Sequence, residues 1–334
     1  MSERLSSAER RSRHGNIVAA LQIEEVLDSA EVLDPSAAYQ ASLLGMSHPL
    51  SLCHAQKARY DWLMHLLYCD ETNLEERAGD FLIYGGLMID GNRIGALSVA
   101  IDDIRARWDV PREYRLKFNP GPHGMSHQDF IAFKQETVRA ALDHSAQLLA
   151  YVVLHDIARG ADEARRNGIN TICYHFHCAL SRLQTNGLVL IDRFNDAGNE
   201  IDSHLREKFS IGLTGMPYGN EMRLANIVGY HYSAIGQSHM PSIVDVILGT
   251  LRFAINVHTR GLDHQLQSAR AMVELLSPLF WREPGQDQVP EIGFIFSPKV
   301  IKRDHYRNRY ANLKTFLEDN GVQTQQPITD QRQY

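Results

Sequence analysis

The chain has 334 residues, of which 44% are hydrophobic and 22% are charged, close to the average of soluble globular proteins. This composition excludes wholesale disorder, collagen-like repeats and a coiled coil, and the length allows about one or two domains. The formal net charge of −6 gives no overall basic character of the kind that marks many nucleic-acid-binding proteins, although basic residues can still be confined to one face.

The polar start of the chain and its cysteines bear on localisation. The opening residues MSERLSSAERRSRHGN are too polar for a secretory signal, and no uninterrupted apolar run reaches the ~18 residues needed to cross a bilayer. No Cys-x-x-Cys pair is present, which argues against a zinc ribbon or a disulfide scaffold. We therefore expect a soluble, cytoplasmic protein without membrane association and with reduced cysteines.

Two apolar segments begin the regular pattern of the chain. Residues 62–70 (WLMHLLYCD) and 80–90 (DFLIYGGLMID) predict two buried strands joined by a polar loop, as in a hairpin. A helix at 92–108, a short strand at 116–118 and an amphipathic helix at 127–146 are predicted to follow.

The next part of the chain alternates strand and helix patterns. Strands are predicted at 147–156, 188–194 and 222–233, and helices at 159–186, 200–212 and 240–258. The order of elements is that of an α/β fold with a mixed sheet.

The two ends differ from this pattern. Residues 1–58 are charged, Ser-rich and interrupted by proline, and they predict a helical N-terminal extension. The main domain is expected at 59–262, followed by a C-terminal helical appendage at 263–320 that includes a strand-like GFIFS segment and ends in a basic helix. The polar residues 321–334 are expected to be disordered.

Three aspartates lie in segments that otherwise exclude charge: Asp70 at the end of a strand, Asp192 inside LVLIDRF, and Asp245 in an apolar helix. An ionised carboxylate buried without a partner costs several kcal/mol, so each needs a cation, hydrogen bonds or a proton. A divalent ion bound between the three aspartates would compensate the buried negative charge of all of them. Oxygen ligands without cysteine or paired histidine favour Mg²⁺ or Mn²⁺ over zinc.

Local alternatives exist for each carboxylate. Asp70, Asp192 and Asp245 could each instead cap a turn or pair with an arginine such as Arg193 or Arg252, and sequence spacing alone does not decide between these options. Gly249, four residues after Asp245 on the same helix face, is expected to leave room for an ion or a phosphate. Asp156, which also ends an apolar strand, is either a fourth ligand or a turn residue.

Four segments resemble successive blocks of the family catalogued as domain of unknown function 3800. These are YCDET at 68–72, FLIYGGLMI at 81–89, LVLID at 188–192 and SIVDVILG at 242–249. The resemblance implies a ribonuclease H-like mixed sheet flanked by helices and a metal-dependent nuclease, with Asp70, Asp192 and Asp245 as metal ligands. It also implies Glu71 as a further catalytic acid, and a setting in phage defence or a mobile element.

The chain departs from the family pattern in two blocks. Ser242 and Val244 stand where the closing motif usually has Gln and Ala. The Glu-x-Lys block appears as Arg115-Leu116-Lys117, so a carboxylate is missing while the lysine is retained. We expect Lys117 and Arg252 to contact substrate phosphates.

These observations lead to a main hypothesis and its rivals. The main hypothesis is a nuclease that uses Mg²⁺ or Mn²⁺ to hydrolyse phosphodiester bonds of DNA or RNA by attack of water. The alternative is a non-catalytic assembly or regulatory subunit of the same fold, which binds a protein partner through the N-terminal extension or the C-terminal basic helix and can form oligomers. A glycosidase has only the acidic residues in its favour.

Overall fold

The computed structural model describes residues 64–193, 200–211 and 223–332. The chain divides into two compact units, Met1–Asp61 and Trp62–Tyr334, and every described residue belongs to the second. The predicted helical extension at 1–58 lies outside the described residues.

The core of the second unit is a six-stranded mixed sheet. Its strands are β1 (Met64–Thr72), β2 (Phe81–Asp90), β3 (Gln147–Leu154), β4 (Asn186–Asp192), β5 (Ile227–Ser233) and β6 (Phe294–Ser297). They lie in the order β5-β4-β1-β2-β3-β6, and β2 alone runs against the other five. The prediction of an α/β fold with a mixed sheet flanked by helices is confirmed.

Helices cover both faces of the sheet. They are α1 (Ile94–Arg107), α2 (His127–Asp143), α3 (Ala161–Leu183), α4 (Glu200–Ile211), α5 (His239–Thr259), α6 (Leu266–Leu276) and α7 (Asp304–Asp319). Apolar residues of α1, α2, α5, α6 and α7 form one core with one face of the sheet. Residues of α3 and Leu205 of α4 form a second core on the opposite face. The strands β1, β2, β3 and β6 therefore alternate their side chains between two buried layers, which explains the continuous apolar runs in the sequence.

The helix α5 is the central element of the first core. It is the one helix among the described residues that is long and apolar enough to cross a bilayer, but 78% of its most apolar window is buried inside the protein. This burial makes α5 a helix of the protein core. Gly85 of β2 allows α5 to pack closely, because a Cβ there would lie 2.7 Å from Cδ2 of Leu248.

The segment 116–118 is not a strand, contrary to the sequence prediction. Leu116 is buried in the first core, which accounts for the apolar pattern that indicated a strand. The backbone groups of Phe118 bond to side chains rather than to a neighbouring strand: its N–H donates to Asp245 and its carbonyl accepts from Lys134.

Residues 263–320 are part of the main domain and not a separate appendage. The strand β6 pairs with β3, and Leu313 and Phe316 of α7 lie in the first core. The hydroxyl of Tyr310 accepts a hydrogen bond from Leu154 N–H at 2.8 Å and donates to the carbonyl of Ser297 at 2.5 Å. A domain boundary near residue 262 is therefore wrong, because the last strand and helix complete the sheet and its core.

The prediction of disorder from residue 321 is also wrong for the described residues up to 332. Val322, Thr324 and Gln326 are buried. The Gln326 side-chain amide accepts a hydrogen bond from Phe296 N–H at 2.7 Å and donates to the Phe296 carbonyl at 2.8 Å. A polar segment is ordered here because its side chains satisfy backbone groups of β6.

Candidate functional site

Asp70 and Asp192 lie side by side at the carboxyl ends of two adjacent parallel strands. Cys69 of β1 pairs with Ile191 of β4, so the two aspartates are the next residues along these strands. The residues two positions before them, Tyr68 and Leu190, pack in the first core beneath α5. Because alternate residues share a face of a sheet, both carboxylates lie on the side of α5.

Asp245 joins them from α5. It is the one residue between Pro241 and Leu251 of this helix that is not buried. Burial raises the pKa of Asp70 well above its usual range, and the charges of Glu71, Asp192 and Asp245 raise it further. Burial likewise raises the pKa of Asp192, and the charge of Asp245 raises it further. The structure therefore brings the three predicted aspartates into one electrostatic cluster.

No arginine neutralises these carboxylates by an ion pair within the described residues. The Arg193 backbone N–H, and not its side chain, bonds to Asp192 and lowers that pKa. Burial raises the pKa of Asp245, and this rise is opposed first by the N–H of Phe118 and then by the charges of Lys117, Arg252 and Lys134. The arrangement is therefore a shared acidic cluster and not three separate ion pairs.

Phe118 positions Asp245 and was not anticipated from the sequence. Its N–H donates to Oδ2 of Asp245 at 2.5 Å, and its ring lies on Gly249, where a Cβ would be 2.4 Å from Phe118 Cγ. The expectation that Gly249 leaves room for an ion or a phosphate is therefore wrong. The missing side chain at Gly249 accommodates an aromatic ring that holds the loop against α5.

Lys134 is a second residue that sequence reasoning missed. Its ammonium lies 4.0 Å from the ring centre of Phe118 and 4.4 Å from that of Phe130, and it donates to the Phe118 carbonyl at 3.2 Å. Burial lowers the pKa of Lys134 to about 8, while the charge of Asp245 opposes this shift. A signal was present in the sequence, because Lys134 follows Phe130 by four residues and so falls on the apolar face of α2.

The two predicted phosphate-binding residues lie near the acidic cluster. Lys117 is exposed and its charge lowers the pKa of both Asp192 and Asp245. Arg252 is half-buried, and its guanidinium lies 5.6 Å from the ring centre of Phe118. Asp245 and Arg252 both line an open cleft of about 600 Å³, which can admit a polar ligand.

Glu71 lines the same cleft but belongs to the opposite face of β1. The strand continues to Thr72, so Glu71 alternates with Asp70 and lies 3.7 Å from Nε of Arg165 on α3. Burial raises the pKa of Glu71 to about 7, the charge of Arg165 lowers it, and that of Asp192 raises it. The structure thus places Glu71 beside the three aspartates but pairs it with a cation of the second core.

Asp156 has a turn role and does not join the cluster. Its Oδ2 accepts a hydrogen bond from Gly79 N–H at 2.6 Å, which ties the loop before β2 to the end of β3. Its charge is not among those that shift the pKa of Asp70, Asp192 or Asp245. Of the two roles left open for this residue, the structure supports the turn.

The donor atoms of the cluster suit a hard divalent cation. Asp70, Asp192 and Asp245 supply only carboxylate oxygens, and their mutual repulsion would be relieved by positive charge among them. Within the described parts of the chain, however, no three histidine, cysteine or carboxylate side chains are close enough to hold one ion where they now stand. Ligation would therefore require the side chains to close inward.

No protein-family model, curated protein or solved structure matches this chain. The geometry and chemistry of the cluster therefore carry the functional interpretation.

Proposed function

We propose that the protein is a divalent-metal-dependent nuclease that hydrolyses phosphodiester bonds of DNA or RNA. One observation carries the proposal. Asp70 and Asp192 end two adjacent parallel strands, the charges of Asp192 and Asp245 raise the pKa of Asp70, and no ion pair among the described residues neutralises any of the three. Burial of like charges is costly, so an arrangement of this kind points to a cationic ligand.

The strand order supports a ribonuclease H-like fold for this domain. Three consecutive strands, β1 to β3, form an antiparallel meander, and β4 and β5 then add in parallel on the other side of β1. This is the strand arrangement expected of a ribonuclease H-like sheet, with β6 as an additional strand at the β3 edge. The acidic residues occupy the carboxyl ends of β1 and β4, at the centre of the sheet, where ligands of α/β proteins commonly bind.

Each polar residue of the site has a role in this proposal. Asp70, Asp192 and Asp245 would hold Mg²⁺ or Mn²⁺, with Phe118 N–H fixing the orientation of Asp245. A bound ion of this type supplies activation of water and neutralisation of charge on the phosphate. Lys117 and Arg252, two of the three cations whose charges lower the pKa of Asp245, would bind the phosphates on either side of the scissile bond.

The decisive experiment is Asp192→Asn, which removes one carboxylate charge while keeping the size of the side chain. We expect Mg²⁺-dependent cleavage of DNA or RNA oligonucleotides to be lost while the circular dichroism spectrum is unchanged. Asp103→Asn, the same change at an exposed position of α1, is the matched control and should retain activity. Cleavage by Asp192→Asn at the wild-type rate would refute the proposal.

A non-catalytic assembly or regulatory subunit is the second candidate. It is favoured by Arg115, which stands where the resembled family has a glutamate. The side chain of Arg115 lies near Gly236, a residue of the loop that joins β5 to α5. Such a subunit would neither bind Mg²⁺ at Asp70 nor cleave nucleic acid.

A further inference from the structure

An apolar groove lies between α2, α5 and α6, next to the acidic cluster. Its volume is about 460 Å³, within the ~300–1,000 Å³ typical of small-ligand sites. Its walls include four half-buried apolar side chains, from Ile131, Phe253, Met272 and Leu275. Polar groups stand among them, including Gln135, Gln265 and the exposed Ser268.

The groove adjoins the cleft that holds Asp245 and Arg252. Phe118, Asn119, Phe253 and Gln265 line both spaces. Phe253 follows Arg252 directly along α5, so the chain places a cation and an aromatic side chain next to each other at the junction. A ligand with an anionic part at Arg252 can therefore place an adjoining apolar part in the groove.

The chemistry of the two spaces together fits one occupant. A nucleotide has a phosphate that suits Lys117 and Arg252, and a flat base whose faces stack on aromatic or apolar side chains while its edges form hydrogen bonds. Lys134 also lines the groove, and its ammonium is a donor for a base carbonyl oxygen. A base paired within a duplex must first be unpaired and unstacked, at a cost of a few kcal/mol, before it can enter such a groove, whereas an unpaired base enters without that cost.

We propose that this groove, defined by Ile131, Phe253, Met272 and Leu275, is a base-binding subsite and that the substrate is single-stranded nucleic acid. The inference deepens the proposed nuclease function and rests on it. The phosphate lies between Lys117 and Arg252, and one adjoining base leaves the strand to stack on Phe253.

Ser268→Trp tests the subsite without removing a core contact, because Ser268 is exposed and lines the groove. Gln267→Trp, the neighbouring exposed residue of α6 that does not line the groove, is the matched control. Single-stranded DNA and RNA oligonucleotides that carry 2-aminopurine, and the corresponding duplexes, would be titrated with the full chain in EDTA, which prevents metal-dependent cleavage. Fluorescence anisotropy would report binding, and 2-aminopurine emission would report the environment of the base.

We expect the single strand to bind at least roughly tenfold more tightly than the duplex, with a change in 2-aminopurine emission. Ser268→Trp should weaken binding by about tenfold and abolish the emission change, and Gln267→Trp should do neither. The DNA and RNA arms identify the sugar that is preferred. Equal binding of single strand and duplex, or unchanged binding by Ser268→Trp, overturns the subsite.

The outcomes separate the two proposals. Base binding that depends on the groove, without Mg²⁺-dependent cleavage in a parallel assay, would refute the nuclease and retain the subsite. Cleavage that is insensitive to Ser268→Trp would retain the nuclease and refute the subsite. Binding of an apolar peptide in the groove that no oligonucleotide displaces would also refute the subsite.

Discussion

The backbone N–H of Phe118 donates a hydrogen bond to Oδ2 of Asp245 at 2.5 Å, although the two residues are 127 positions apart in the chain. This bond attaches the irregular segment after α1 to the middle of α5. The charge of the adjacent Lys117 lowers the pKa of Asp192 and Asp245. The bond thus connects one candidate ligand to the segment that carries one candidate phosphate-binding residue.

Asp245→Ala should be less stable than Asp245→Asn by about 1–3 kcal/mol, because alanine leaves the Phe118 N–H without its acceptor while asparagine keeps an oxygen there. Both changes remove the charge, so their difference isolates the hydrogen bond. Urea unfolding at neutral pH measures it. Equal free energies of unfolding for the two variants would show that the bond contributes no stability.

Gly249→Ala should destabilise the protein by about 1–3 kcal/mol, since the new methyl group would lie 2.4 Å from Phe118 Cγ and force the ring away from α5. Displacement of Phe118 should also reduce nuclease activity through loss of the Asp245 contact. Gly95→Ala is the matched control, because a methyl group at this exposed position of α1 would have no other atom within 4 Å. Thermal unfolding should show Gly95→Ala unchanged or up to about 1 kcal/mol more stable.

Asp70→Asn should stabilise the metal-free protein at neutral and higher pH. Burial and the neighbouring acidic charges raise the pKa of Asp70 in the folded state above its ordinary value of 3.8, so its stabilising contribution is full below about pH 4 and is lost as the pH rises through the folded pKa. Asparagine cannot ionise and escapes this loss. Urea unfolding in EDTA should therefore show that Asp70→Asn gains free energy of unfolding relative to the wild-type protein above about pH 4, and that this difference grows toward neutral pH. A difference that does not depend on pH would contradict a raised pKa of Asp70.

Magnesium should raise the melting temperature of the wild-type protein and not that of Asp70→Ala. An ion that binds only the folded state adds about 2.7 kcal/mol to its stability at a free concentration 100 times the dissociation constant. Differential scanning fluorimetry with MgCl₂ and MnCl₂, against an equal ionic strength of KCl, measures the effect. Identical shifts in both proteins would favour the non-catalytic subunit.

Tyr310→Phe should destabilise the protein by about 1–3 kcal/mol for each buried backbone group that it leaves unpaired. The hydroxyl bonds to both Leu154 N–H and the Ser297 carbonyl, and so connects α7 to β3 and β6.

A single cooperative unfolding transition is expected, because the C-terminal helix belongs to the main core. Two separate transitions would instead support an independent C-terminal appendage.

Local pattern was sufficient for most of the secondary structure in the described residues. The predicted strands at 62–70 and 80–90 correspond to β1 and β2, and the predicted helix at 240–258 corresponds to α5. The segment 116–118 was misassigned because its apolar side chains are buried while its backbone bonds to Asp245 and Lys134, a situation that alternation of side chains does not reveal.

The candidate site was only partly accessible from sequence. A charged residue in an apolar element is visible in the chain itself, and that signal identified Asp70, Asp192 and Asp245. The role of Phe118 was not visible, because it depends on which backbone group meets Asp245 after folding. The pairing of Glu71 with Arg165 across the opposite face of β1 likewise follows from the position of α3.

The sequence by itself determined where most strands and helices of the described residues form and which acids lie in apolar elements, because side-chain periodicity and the cost of burying charge are local properties. Only the tertiary structure decided that Asp70 and Asp192 are neighbours, that the charge of Asp245 acts on Asp70, and that the C-terminal residues complete the sheet. Strand order and register depend on contacts between residues far apart in the chain, and no spacing rule along the sequence encodes them.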